Sequence, residues 1–185
     1  QFDLVDITRQ VLANYASPLQ KKWVTAFKAN DATGFKKYSG QFLQLISDMD
    51  ALLATRRDFL LGPWIANARS HGKSQGEKAL YERNARDLIT LWGDANSPLH
   101  EYANRQWSGL LNDFYKPRWE QFFDMLQVSL QTNTPPDLKT FEQKIRAWEW
   151  HWVNEQKTFP TQPVGNSVKK AEQIYRNYRS IIETD

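Results

Sequence analysis

Apolar residues recur every three or four positions along nearly the whole chain, and no stretch alternates with the period of two that a half-buried strand needs. Leu4, Ile7, Val11, Tyr15, Leu19, Trp23 and Phe27 make the first stripe, and Phe35, Tyr38, Phe42, Leu45, Met49 and Leu52 make the second. Punctuation residues divide the remainder. Pro63 suits a first helical turn and Gly72 ends that short helix; Ser74 with Glu77 reads as a capping box opening the next, which runs to Trp92-Gly93. Ser97-Pro98 starts a further stripe of Leu99, Tyr102, Ala103, Trp107, Leu110, Leu111 and Phe114. Pro117 separates it from Trp119, Phe122, Phe123 and Leu126, Pro136-Asp137 opens a helix through Trp148 and Trp152, and Gly165-Asn166-Ser167 caps a last one to Ile182. The expectation is an all-α fold, an irregular bundle of about eight helices in a single domain over residues 1–185, with no significant sheet. Breaks are expected near Pro18, Gly72, Gly93, Pro117 and Pro160, with Pro18 marking either one kinked helix or two joined ones and Pro117 either a break or a kink.

Composition narrows the chemistry. With no cysteine, disulfides and thiolate nucleophiles are out, and His71, His100 and His151 are too scattered to pair as metal ligands, so neither a metal nor a cofactor is expected. The net charge of +3 comes from interleaved rather than blocked charges, which argues against a nucleic-acid partner. No apolar run approaches the roughly 20 residues of a membrane span. The opening Gln1-Phe2-Asp3, without an initiator Met, reads as a piece of a longer polypeptide. Eight tryptophans in 185 residues are a heavy load that serves either a core or a flat ligand such as a sugar.

No nucleophile elbow and no phosphate-cradling glycine loop occurs. The acid pairs Asp3/Asp6 and Asp48/Asp50 lie at a helix start or on a helix face, where the macrodipole accounts for such acids, and no catalytic residue is assigned. The stretch from Tyr81 to Trp119 is the richest in aromatic, amide and guanidinium groups, the mixture that binds polyalcohols. Asn84, Arg86, Trp92, Asn104 and Arg118 are the candidate cleft residues within it. Trp92 stands out because it belongs to a loop, whereas Tyr102 and Trp107 lie on the apolar stripe and read as core. Trp148 and Trp152 share a core face, and Trp150 points elsewhere.

An ordered set of pieces resembles the C-terminal helical domain of the alpha-N-acetylglucosaminidases, glycoside hydrolase family 89. They are Phe2-Asp3-Leu4-Val5-Asp6-Ile7-Thr8-Arg9-Gln10, Phe59-Leu60-Leu61-Gly62-Pro63-Trp64, Tyr81 through Arg86 on to Leu91-Trp92-Gly93, Tyr102 through Gln106, Tyr115 through Trp119, and Phe159-Pro160 through Gly165. The chain departs where Asn166 replaces the family's usual acid, and where Asp58 stands in place of an arginine before Phe59. The resemblance implies an accessory domain of a retaining exo-glycosidase that removes terminal alpha-linked N-acetylglucosamine. Its implied partners are a catalytic (β/α)₈ barrel of the same polypeptide, carrying both catalytic acids, and a glycan substrate whose cleft the helical domain helps to wall. It further implies an exported protein of periplasmic, cell-surface or lysosomal type, and a chain inactive on its own. The alternative is a stand-alone helical interaction or carbohydrate-binding module without catalysis.

Overall fold

The computed structural model describes residues 1–97 and 104–182 and is all-helical, with no strand among them. The elements in chain order are α1 (Phe2–Lys28), α2 (Ala32–Leu53), a 3₁₀ turn (Arg57–Phe59), α3 (Leu61–Ser70), α4 (Gln75–Leu88), a π-helical turn (Leu111–Tyr115) running into α5 (Lys116–Thr132), α6 (Leu138–Asn154) and α7 (Ser167–Ile182).

Local chemistry sets most of the ends. Asp31 caps α2 by accepting from Gly34 N at 2.9 Å, and Asp137 caps α6 by accepting from Thr140 N at 3.0 Å. Ser74 and Glu77 close the expected box on α4. Asn166 accepts from Lys169 N at 3.0 Å, so an amide does at the start of α7 what a carboxylate would do.

One expected break is absent and another is a change of helix type. Pro18 lies inside an uninterrupted α1, because Leu12, Tyr15, Leu19 and Trp23 on either side of it are buried. The burial of those side chains offsets one missing N–H bond. Pro117 lies at the start of α5, directly after the π turn, which widens the hydrogen-bond ladder where the imino acid has no hydrogen to donate. Two other expectations shift. α4 stops at Leu88, five residues before Gly93. The helix expected from Ser97 is not formed over residues 104–107, which are irregular, and helix resumes at Leu110. Pro98, Leu99, Tyr102 and Ala103, on which that expectation rested, lie outside the described residues.

Two apolar clusters form the interior. The larger joins α1, α2, α5 and α7 around Trp23, whose ring meets Phe35, Trp119, Phe122 and Phe123 edge-on at centroid distances of 5.3–6.4 Å. The smaller joins α3, α4, the start of the 110–132 helix, α6 and Phe159, with Trp152 against Phe114 at 4.8 Å. Tyr115 packs against both. No described helix is long and apolar enough to cross a membrane.

Candidate functional site

The C-terminal end of α4 is held by a buried ion network. Glu82 and Arg86, one turn apart, are both enclosed, with Arg86 Nε donating to Glu82 Oε1 at 3.0 Å. Arg69 of α3 donates to the other carboxylate oxygen at 2.5 Å, and the Lys157 backbone N–H donates to Glu82 Oε1 at 3.2 Å. Arg86 also donates to the Trp152 carbonyl at 3.1 Å and lies over the Trp152 ring at 4.5 Å. Four chain segments therefore meet at one carboxylate–guanidinium pair, and α4 is locked to α3, α6 and the segment after α6.

Beyond α4 the chain turns sharply. Trp92 N donates to the Asp87 carbonyl at 3.0 Å, Gly93 N donates to the Asp87 carboxylate at 3.2 Å, and Trp92 itself adopts φ 63°. A left-handed backbone at a bulky aromatic is strained, and such strain collects at functional positions. The Trp92 side chain is 42% exposed. Burial raises the Asp87 carboxyl above its ordinary value, and the Gly93 N–H bond works against that rise.

The opposing segment is positioned by Asp50. Its carboxylate, buried on α2, accepts from Ser108 Oγ at 3.1 Å, Gly109 N at 2.8 Å and Asn112 N at 3.1 Å. Burial raises this carboxyl above 3.8, opposed by those same hydrogen bonds. Ser108 also exchanges two backbone bonds with the 59–61 segment, at 2.8 and 3.0 Å. Gly109, at φ +91°, sits against Phe159, where an added Cβ would lie 3.2 Å from the ring. These contacts fix the irregular stretch Asn104–Trp107 between two concavities. One, of about 710 Å³, is lined by Trp64, Leu88, Ile89, Trp92, Asn104, Arg105 and Trp107. The other, of about 480 Å³, is lined by Asn104, Tyr115, Arg118, Trp119, Phe122, Phe141 and Ile145. Asn104 borders both.

Arg118 in the second concavity is held by Glu149, 2.7 Å from its Nε, with its guanidinium over the Phe114 ring at 5.2 Å. Burial lowers its affinity for the proton and Glu149 restores it, so the cation is fixed in place. The concavities thus pair aromatic faces with amide and guanidinium donors, the equipment for holding a hydroxylated or acetamido ligand. Among the described residues no three His, Asp or Glu side chains gather as a metal cage.

Of the sequence candidates, Trp92, Asn104 and Arg118 come together around these openings. Asn84 is exposed one turn before Leu88 on α4, outside both linings, and Arg86 has no exposed surface, so its place is in the scaffold that carries Trp92. Trp107 corrects the reading of it as core. It is half-buried, packs against the edge of the smaller cluster, lines the larger concavity, meets Trp64 at 6.0 Å and lies under Arg105 at 5.7 Å, because its segment is irregular rather than helical. Trp64 is not among the sequence candidates, and Asp50 enters the sequence reading only as half of the Asp48/Asp50 pair, with no role assigned. The Gly-Pro helix start just before Trp64 is a usable signal for the first; the spacing of Asp48 and Asp50 does not reveal the second's role, because its partners lie some 60 residues on.

The model of the "Alpha-N-acetylglucosaminidase (NAGLU) C-terminal domain" family matches residues 1–177. Human alpha-N-acetylglucosaminidase is 31% identical over 179 residues, which are 96% of this chain and 24% of the human protein. A family 89 glycoside hydrolase from Clostridium perfringens, solved in complex with PUGNAc, superposes with a TM-score of 0.85 at 36% identity, over 96% of this chain and 21% of that one. The same organism's enzyme in complex with its substrate GlcNAc-alpha-1,4-galactose gives 0.84 at 34% identity, over 98% and 22%. The chain spans between a fifth and a quarter of the length of these relatives. This chain belongs to the alpha-N-acetylglucosaminidase C-terminal domain family of glycoside hydrolase family 89.

Proposed function

We propose that this chain is the helical accessory domain of an exported alpha-N-acetylglucosaminidase, packed on a catalytic (β/α)₈ barrel of the same polypeptide. It walls one side of the cleft that receives terminal alpha-linked N-acetylglucosamine. The observation that carries this reading is Trp92: an exposed aromatic face, held at a strained positive φ beside Asn104, Arg105 and Trp107. Asn104 and Arg118 supply donors to hydroxyl and acetamido oxygens, and Trp92 supplies a face for the sugar ring. Arg86 serves by holding α4 in place.

The test is kinetic, in the longer polypeptide that carries these residues. Trp92→Ala should lower kcat/KM on an aryl alpha-N-acetylglucosaminide roughly 2- to 10-fold, the worth of one aromatic contact. Trp92→Gly should lower it equally while leaving the thermal midpoint unchanged or raised, because glycine adopts the left-handed backbone without strain. Unchanged kinetics in both variants would remove Trp92 from the cleft and the reading with it.

A further inference from the structure

A groove of about 510 Å³ runs between the N-terminal half of α1 and the length of α7, and it shares no residue with the concavities above. Its lining is almost wholly aliphatic and aromatic, with Thr8, Glu172 and Arg179 the polar members. On α1 it exposes Leu4, Ile7 and Val11; Ile7 alone is 64% exposed. On α7, Val168, Ala171, Tyr175, Tyr178 and Ile182 follow one another at spacings of three, four, three and four. That is the a/d seam of a coiled coil, and Leu4, Ile7 and Val11 repeat its first three positions. Ala171 and Tyr178 are buried, but Val168 and Tyr175 remain exposed at 41% and 58%. Two of the five seam positions thus stay exposed among the described residues, with only the Arg179 guanidinium over the Tyr175 ring at 5.6 Å.

We infer that this groove seats one amphipathic helix from another part of the same polypeptide, making α1 and α7 two members of a three-helix arrangement. The inference rests on the reading of the chain as a portion of a longer glycosidase. Several observations select this occupant. Two seams of three-four spacing facing one furrow accept the ridge of a third helix, and Val168 to Ile182 spans ~21 Å, about four helical turns. Glu172 and Arg179 flank the seam with charges of opposite sign, which suits the mixed flanks of a helix better than the single sign of a lipid surface. More than three quarters of the length of each relative lies outside the match, so there is chain to supply the helix.

The chain has no cysteine of its own, so single thiols report cleanly. In the longer native polypeptide, Ile7→Cys should react with a thiol reagent at least about tenfold more slowly than Gln20→Cys, an exposed control on the same helix. In the 185-residue chain the two rates should be similar. A photo-crosslinking benzoylphenylalanine at position 175 of the longer polypeptide should join, within one molecule, to a peptide carrying an apolar helical stripe. Thermal unfolding establishes that each variant folds, and the position-7 thiol carries the test should the position-175 variant fail to do so. A fast-reacting thiol at position 7 of the longer polypeptide, a cross-link between two copies, protection that appears only with added lipid vesicles, or a native polypeptide ending at these residues would each overturn the inference. Glycosidase activity measured on the same samples separates the two readings. A cross-link without activity sinks the cleft wall alone; activity without a cross-link sinks the groove alone.

Discussion

Arg86 shows how a residue type chosen for ligand chemistry can be taken up by the interior. Its neighbours in sequence, Asn84 and Arg83, point outward, Arg83 lying over the Trp150 ring at 5.0 Å, while Arg86 turns inward to Glu82. The i, i+4 spacing of Glu82 and Arg86 is legible in the sequence, but that spacing is the same for a solvated surface pair and a buried one. Burial decides the energetics. Arg86→Ala should destabilise the chain by about 3–5 kcal/mol, because the Glu82 carboxylate stays enclosed with only Arg69 and one backbone N–H to balance it. The double change Glu82→Leu with Arg86→Met should be markedly less damaging, since no charge is then left alone. Chemical denaturation of the three proteins checks this; equal losses for the single and double variants would contradict it.

At the scale of elements, the joints matter more than the helices. Capping signals at Ser74, Asp137 and Asn166 mark true helix starts, because a cap is read over three or four residues. The join between α2 and the 110–132 helix is of another kind. It depends on Asp50 accepting three hydrogen bonds from residues 108, 109 and 112, and it carries Asn104–Trp107 into the candidate site. Its carboxyl is raised in the folded state, so the folded chain holds the proton over a window that opens at the ordinary 3.8 and extends upward. Within that window the folded form binds more protons than the unfolded one, and the Asp50 contribution to stability falls as pH rises. Asp50→Asn should therefore flatten this part of the stability–pH curve, while its amide, facing three donors, costs about 1–3 kcal/mol. Denaturant midpoints between pH 3.5 and 7 read both effects, and an unchanged slope would mean that Asp50 does not titrate there.

At the scale of the whole molecule, four of the described acids hold the fold together. Asp50 clamps a loop, Asp48 accepts from the Tyr178 hydroxyl at 2.8 Å, Glu82 holds two arginines and Glu149 holds Arg118. A retaining glycosidase needs two carboxyl groups about 5–5.5 Å apart across the scissile bond. On the proposed accessory role, the 185-residue chain by itself should show no hydrolysis of an aryl alpha-N-acetylglucosaminide; turnover abolished by changing one of its own acids would overturn that role. The sequence by itself determined the helical class, most of the helix starts and the family, because periodicity, caps and short motifs are local properties that survive without coordinates. It did not determine that α1 passes through Pro18, that Trp107 sits half-buried at the edge of the smaller cluster, or that Arg86 enters the core. Those outcomes belong to the tertiary structure. Each is a competition between a local preference and burial against residues tens of positions away, and only packing reveals which term is larger.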